Sequence, residues 1–150
     1  MKIALLNLPF DNNYGGNLQR YALIKVLQGM GHEVEHINLQ CNNSLPWYKY
    51  PYSIPKRIIK RYLLGQKNVD VLLEKHNKDI RKIIDANALA FYEKYIPHTL
   101  KVRKVSEIKK LLNIGNYDAV LVGSDQIWRE GMTHSIGCKN FFLKFVPDDI

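Results

Sequence analysis

The sequence of 150 residues predicts an α/β fold with a doubly wound parallel sheet, and three observations indicate it. Residues 3–8 (IALLNL) form an apolar run typical of a parallel strand, because a strand covered on both faces loses strict alternation. Residues 17–30 then have the apolar spacing of a helix, and residues 33–39 (EVEHINL) return to a strand pattern. Strand, helix and strand in this order form a βαβ unit.

The first helix is predicted to turn one apolar face toward the sheet. That face consists of Leu23, Val26, Leu27 and Met30, which recur at i, i+3, i+4 and i+7. Asn17 or Gly16 is expected to cap the start of the helix. Gly31 is expected to end it, because glycine readily adopts a left-handed backbone.

The middle of the chain predicts helices without strands. Residues 45–55 (LPWYKYPYSIP) combine prolines and aromatic residues, which favours an ordered, non-helical loop. A short basic amphipathic helix is predicted from Lys56, and a longer one from about Val69 to Tyr95, before Pro97. We therefore expect a helical insertion over about 54–96, between the second and third strands.

The last third of the chain predicts a helix and two more strands. Ser106 is placed to cap a helix over 106–113 (SEIKKLLN). Residues 119–122 (AVLV) are predicted to form a strand that leads into a Gly-Ser-Asp loop. Residues 140–150 (NFFLKFVPDDI) are predicted to form a final strand.

Composition limits the classes of protein that the sequence can encode. With 46% hydrophobic residues the chain can build a core, and no apolar run approaches the ~20 residues of a membrane-spanning helix. Cys41 and Cys138 lack partners at CxxC spacing, which argues against a zinc site and fits a reducing cytoplasm. The net charge of +8 is concentrated in residues 56–110, which indicates either an anionic partner or a solvated helical face.

Two loops that follow predicted strands contain the candidate functional residues. The first, residues 11–17 (DNNYGGN), offers asparagine amides and the N-terminus of a helix, which suit sugar hydroxyls or an anion. Its glycines would let a ligand approach the backbone. The alternative is a capped turn that needs glycine and asparagine only for its backbone angles.

The second loop, residues 123–129 (GSDQIWR), combines a carboxylate, an amide and an indole. Asp125 could accept a proton from a sugar hydroxyl, Gln126 could donate and accept hydrogen bonds, and Trp128 offers an apolar face for a sugar ring. The alternative makes Asp125 a helix cap and Trp128 a core residue.

Both loops carry motifs that resemble those of a known family. Residues 13–23 match N-Y-G-x-x-L-Q-x-Y-A-L, and residues 122–128 match V-G-S-D-Q-x-W. With the intervening FYEKYIPHT (91–99) and the later FFLKFVPDD (141–149), they resemble the N-terminal half of the polysaccharide pyruvyl transferases. The resemblance covers nearly the whole chain.

This resemblance implies a fold, a reaction and a set of site residues. It implies a Rossmann-like domain, one half of a two-domain glycosyltransferase-B-like architecture, whose C-terminal donor-binding domain lies outside residues 1–150. It implies transfer of a pyruvyl group from phosphoenolpyruvate to sugar hydroxyls as a ketal in cell-surface or exopolysaccharide synthesis, without a cofactor or metal, and a lone half is expected to be inactive. The catalytic candidate is Asp125. The substrate-binding candidates are Asn13, Tyr14, Gly15, Gly16, Asn17, Gln19, Ser124, Gln126 and Trp128.

Two alternative functions and several partners follow from the same sequence. The chain could be a glycosyltransferase acceptor domain, or a non-catalytic module that binds a membrane surface. Four cations beside apolar residues form an interfacial helix pattern, namely Lys56, Arg57, Lys60 and Arg61. The expected acceptor is a sugar or a lipid-linked saccharide, and the expected location is the cytoplasm, at the inner face of the membrane. No nucleic acid is expected, and an exposed sheet edge predicts self-association.

Overall fold

A computed structural model describes residues 1–11, 13–40, 47–123, 125–133, 136–147 and 150. Three strands form its parallel sheet: β1 (Lys2–Leu6), β2 (Glu33–His36) and β3 (Ala119–Val122). Their order is β2-β1-β3, with β1 in the centre. The predicted α/β class and the parallel sheet are therefore confirmed.

Five α-helices accompany these strands in the described chain. Their bounds are α1 (Tyr14–Gly29), α2 (Tyr50–Ile58), α3 (Leu73–Ile84), α4 (Ala86–Tyr95) and α5 (Val105–Gly115). The chain divides into two compact units, Met1–Asn42 with Asn87–Ile150 and, separately, Asn43–Ala86. The first unit contains the sheet, and the second is helical.

Strand β1 lacks an alternating pattern because its residues are buried on both faces of the sheet. Ala4 and Leu6 point into one buried cluster, which also contains Ile108 and Leu112 of α5. Ile3 and Leu5 point into a second buried cluster, and its other members include Ile24 of α1 and Tyr92 of α4. Because both faces of the sheet are covered by helices, every position of β1 after Lys2 is apolar.

Helix α1 begins earlier than the sequence predicted. Asn13, not Asn17 or Gly16, is the N-cap, and its side-chain oxygen accepts a hydrogen bond from the Gly16 N–H at 3.3 Å. The carboxylate of Asp11 accepts from the Asn13 N–H at 3.0 Å, which fixes the turn before the helix. The end is as predicted, since Gly31 has a left-handed backbone with φ 86°.

The apolar face predicted for α1 is wrong in part. Val26 and Met30 are 61% and 66% exposed, whereas Leu23 and Leu27 pack against the core. The fully buried residues of the helix are Asn17, Arg20 and Ile24. The buried face of α1 therefore includes Arg20, whose guanidinium donates hydrogen bonds to acceptors inside the fold.

The proline-rich segment also differs from its prediction. Residues 47–49 form a 3-10 turn and α2 follows, where a non-helical loop was expected. Pro51 lies in the first turn of α2, where a missing N–H breaks no helical hydrogen bond. Pro55 lies inside the helix, so the carbonyl of Pro51 loses its usual donor. Residues 41–46 lie outside the described residues.

Three further predictions need correction. The long helix predicted over 69–95 is two helices, α3 and α4, with Asp85 between them. Ser106 lies inside α5 and does not cap it; instead the carboxylate of Glu107 accepts from the Arg103 N–H at 2.7 Å. Helix α4 supplies Tyr92 to the core of the first unit, so the end of the predicted insertion belongs with the sheet.

The final strand predicted over 140–150 is also wrong. Cys138–Phe142 forms a 3-10 helix, and Leu143 has a left-handed backbone with φ 58°, which no strand residue adopts. Phe141 and Phe145 fill the cluster beneath Leu6, so burial of these aromatic rings determines the path of the segment. Residues 148–149 lie outside the described residues.

Candidate functional site

The loops that follow β1 and β3 leave the sheet at the same edge. The two strands are parallel neighbours with Leu6 opposite Val122, and the Gly123 N–H donates to the Leu6 carbonyl at 3.1 Å. From β1 the chain passes through α1 to β2 on the other side of β1, so the strand order reverses between β1 and β3. Ligands of open α/β sheets bind outside the carboxyl ends of the strands at this reversal. Both predicted loops therefore lie at the ligand-binding edge of the fold class.

The first loop presents its predicted residues at the surface. Asn13, Tyr14, Gly15 and Gln19 are exposed at the start of α1, and Asn12 lies outside the described residues. Gly15 and Gly16 have ordinary helical backbones, and a Cβ on either would meet only the Asn13 side chain, at 3.4 Å or more. Neither glycine is required by the backbone angles or by packing against the described residues. The capped-turn alternative therefore accounts for Asn13, which caps α1, but not for the two glycines.

Asn17 lies under the loop and not on its surface. Its side chain is buried, donating to the Asp11 carbonyl at 2.9 Å and accepting from Arg20 at 2.8 Å. A second nitrogen of Arg20 donates to the Leu8 carbonyl at 2.8 Å. This network joins both ends of the first loop, so Asn17 and Arg20 hold the exposed residues in place.

Arg20 is a residue that the sequence analysis missed. It is buried, and burial lowers the pKa of its guanidinium, although Tyr92 and Asp11 act in the opposite sense. Arginine remains charged even so. The sequence feature that could have identified Arg20 is the spacing of Asn17, Arg20 and Ile24 at i, i+3 and i+7. This spacing puts Arg20 on the same, buried side of α1 as Ile24.

Asn7 and Gly123 bring the two loops into contact. Asn7 directly follows β1, is buried, and its side-chain oxygen has no hydrogen-bond partner among the described residues. A Cβ at Gly123 would lie 2.9 Å from that oxygen and 3.2 Å from Leu23 Cδ2. A residue with a side chain does not fit at position 123 without movement of its neighbours, because this first residue of the second loop lies directly against the end of β1.

A buried histidine lies at the end of β2, at the same edge of the sheet. His36 is fully buried, and its Nδ1 lies 2.7 Å from the Tyr92 hydroxyl. Burial, with smaller contributions from Arg20 and His98, lowers the pKa of His36 well below its usual value. Burial likewise raises the pKa of the Tyr92 hydroxyl. Both groups are neutral at physiological pH, and the pair anchors α4 to the sheet.

The second loop begins with a short 3-10 helix, Asp125–Trp128. Ser124 and the side chain of Asp125 lie outside the described residues. Gln126 is half-buried, and Ile127 fills the core cluster beneath Leu6. Trp128 is 48% exposed, and its ring lies 4.7 Å from that of Phe142 at an angle of 48°. The alternative that Trp128 is a core residue is wrong, since Ile127 occupies that place.

The described residues contain no group of three or more histidine, cysteine, aspartate or glutamate side chains arranged to hold a metal ion. Among the histidines of β2 and its flank, His32 is half-buried and His36 is fully buried. Nor does any helix in the described part of the chain have the length and apolar character needed to cross a membrane.

The fold defines the class of the protein: an α/β domain, consistent with a Rossmann-like fold, with two polar loops at the edge where the strand order reverses. The chain belongs to the polysaccharide pyruvyl transferase family, whose model matches residues 13–150. This confirms the resemblance seen in the two motifs. No curated protein and no solved structure matches the chain significantly.

Proposed function

We propose that residues 1–150 form the acceptor-binding half of an enzyme that transfers a pyruvyl group from phosphoenolpyruvate to sugar hydroxyls in cell-surface or exopolysaccharide synthesis. The observation that carries the proposal is the position of two polar loops at one edge, between β1 and β3, in a member of the polysaccharide pyruvyl transferase family. The acceptor is a sugar or a lipid-linked saccharide.

The proposed reaction assigns a different task to each loop. One sugar hydroxyl adds to the central carbon of phosphoenolpyruvate while the methylene carbon takes up a proton, and a second hydroxyl displaces phosphate to close the ketal. The attacking hydroxyl needs a base, and Asp125, in the loop that follows β3, is our candidate. Asn13, Gln19 and Gln126 are candidates for hydrogen bonds to the other hydroxyls. Ser124 is a further candidate for contact with the sugar. Asn17 would act indirectly, by holding the first loop in position.

Two structural features support a sugar site. Trp128 is held against Phe142 and keeps about half of its surface exposed, as a stacking platform for a sugar ring requires. Gly15 and Gly16 leave the first turn of α1 open beside exposed Tyr14, although glycine weakens a helix. An open backbone at a helix N-terminus suits a ligand that carries oxygen atoms.

The remainder of the proposal concerns the donor. A second α/β domain in a glycosyltransferase-B-like arrangement would supply arginine and histidine around the carboxylate and phosphate of phosphoenolpyruvate. Of the predicted insertion, residues 54–86 would then be a helical addition to the first domain, and the enzyme would act in the cytoplasm. On this proposal the chain alone binds acceptor but does not catalyse transfer.

Binding of saccharides to the 150-residue chain tests the acceptor site. We expect saturation-transfer NMR signals from the sugar, and their loss in Trp128→Ala and Asp125→Asn. Glu130→Gln removes an exposed carboxylate close to the loop and should leave the signals unchanged. Equal binding by the chain and both site variants would refute the assignment of the loop.

Phosphate release tests the donor. The chain, and any longer product of the same gene, would be incubated with phosphoenolpyruvate or a nucleotide sugar, with and without saccharide. We expect saccharide-dependent phosphate release from phosphoenolpyruvate with the longer product and none with the chain alone. Transfer from the nucleotide sugar would instead favour the glycosyltransferase alternative.

A further inference from the structure

The helical unit Asn43–Ala86 contains an open groove of about 420 Å³. The groove follows one face of α2 and of the π-helical segment Ile59–Leu63 that continues it. Its lining residues recur at helical spacing, and they are Pro51, Tyr52, Pro55, Lys56, Ile59, Lys60 and Leu64. A single continuous helix therefore presents a surface that is apolar along its floor and carries two lysines.

The apolar residues around this groove are exposed to an unusual degree. Neither α2 nor the π-helical segment contains a buried residue. Tyr52 is 75% exposed, Tyr62 73%, Leu63 78% and Leu64 63%, within one short stretch of chain. Single exposed apolar residues are normal on a protein surface, but several within one short stretch indicate a surface that binds a partner, a ligand or a membrane.

The charge around the groove is strongly positive. Residues 43–86 contain ten lysines and arginines against four aspartates and glutamates. Arg57, one of the four cations in the predicted interfacial pattern, is already paired: it donates two hydrogen bonds to the Glu74 carboxylate, at 2.6 and 2.7 Å. No carboxylate of the described residues pairs in this way with Lys56, Lys60 or Arg61, so these three supply the positive charge of the surface.

Two tyrosines of this stretch each lie beside a cation. The Lys56 ammonium lies 5.9 Å from the centre of the Tyr52 ring, and the Arg61 guanidinium lies 5.9 Å from that of Tyr62. Tyrosine is enriched at the level of lipid headgroups, where its ring reaches apolar chains and its hydroxyl stays in contact with water. Lysine and arginine there extend their charged ends toward phosphate groups.

We propose that this surface binds a bilayer that contains anionic phospholipids. Lys56, Lys60 and Arg61 contact the phosphate groups, while Ile59 and Leu64 in the groove contact the first part of the acyl chains. This interaction is separate from pyruvyl transfer. A second copy of the same surface is a poorer occupant, because two identical faces would bring their positive charges together.

Co-sedimentation with vesicles tests the proposal on the whole 150-residue chain. Vesicles of phosphatidylcholine with one quarter phosphatidylglycerol would be compared with phosphatidylcholine alone, at 25 mM and 300 mM salt. We expect binding only to the anionic vesicles, and weaker binding at the higher salt. Each cation near an anionic surface strengthens binding about five-fold, so the double variant Lys56→Gln, Lys60→Gln should bind about 25-fold more weakly.

Two further double variants separate the groove from charge alone. Lys109→Gln with Lys110→Gln removes two exposed charges from α5 in the other unit and should change binding less than two-fold. Ile59→Asn with Leu64→Asn keeps every charge but should reduce binding more than ten-fold, and circular dichroism checks that all variants remain folded.

Three results would overturn the proposal. They are the absence of wild-type binding to anionic vesicles at low salt, an equal loss of binding in both lysine variants, and full binding by the Ile59→Asn, Leu64→Asn variant. A concentration-dependent dimer that this last variant abolishes, in a chain that does not bind vesicles, would assign the surface to self-association instead. Saccharide binding by the chain is measured separately, so either proposal can fail without the other.

Discussion

The buried His36 makes the stability of the fold depend on pH. The side chain is fully buried, with Arg20 of α1, Tyr92 of α4 and His98 around it, and its pKa lies well below the usual value. In the unfolded chain His36 returns to a pKa of about 6.5. Below that pH the unfolded state binds one proton that the folded state does not bind, so the free energy of unfolding decreases as the pH falls.

The size of the change in the free energy of unfolding follows from the uptake of this one proton. Between pH 7.5 and 5.5 the free energy of unfolding should decrease by about 1.4 kcal/mol through His36, with a limiting slope of about 1.4 kcal/mol per pH unit. Urea unfolding at pH 7.5, 6.5 and 5.5 measures the change. His36→Asn should lower stability at every pH, because it leaves a cavity, but it should remove this part of the slope.

His32→Asn is the matched control, since His32 lies four residues away and is only half-buried. It keeps the His36 ring and should therefore keep the part of the slope that His36 supplies. Equal slopes for the wild type and His36→Asn would show that His36 does not carry the effect. An NMR titration in which the His36 ring takes up a proton near pH 6.5 in the folded chain would refute the reasoning directly.

Two substitutions test the contacts under the candidate site, each by urea unfolding at pH 7.5. Arg20→Met leaves the buried Asn17 oxygen and the partly buried Leu8 carbonyl without a donor, and it should cost about 2–4 kcal/mol. Lys25→Met, exposed on the same helix, should stay within about 0.5 kcal/mol. Similar losses in both variants would contradict the network. Gly123→Ala should cost about 1–3 kcal/mol through its close approach to Asn7, whereas Gly29→Ala has open space and should be stabilising by about 0.5–1 kcal/mol. A neutral Gly123→Ala would show that Asn7 moves aside freely.

Local patterns in the sequence were enough to predict several elements and the two loops. The apolar run of β1 indicates a strand buried on both faces, the run at 119–122 indicates a further strand, and Gly31 indicates where α1 ends. The motifs at 13–23 and 122–128 identify the family, and their positions after β1 and β3 place both loops at one edge. These predictions hold because each depends on neighbouring residues or on the order of elements along the chain.

Other features depend on contacts between residues far apart in the sequence. Arg20 is buried because the Leu8 carbonyl and Asn17 accept its hydrogen bonds, and the helical spacing of apolar residues does not reveal them. Residues 138–142 form a 3-10 helix, and Phe141 lies in a core built by β1 and α5. An aromatic-rich stretch predicts a strand from its local pattern, but packing of its aromatic rings into the core determines the conformation that it adopts.

The sequence by itself therefore determined the fold class, the family and the loops at the carboxyl edge of the sheet. Only the tertiary structure decided that Asn17 lies beneath the first loop, that Trp128 stays at the surface while Ile127 enters the core, and that Arg57 is bonded to Glu74. The physical reason is that a side chain's propensity is local, whereas burial and pairing depend on which partner the folded chain brings within reach.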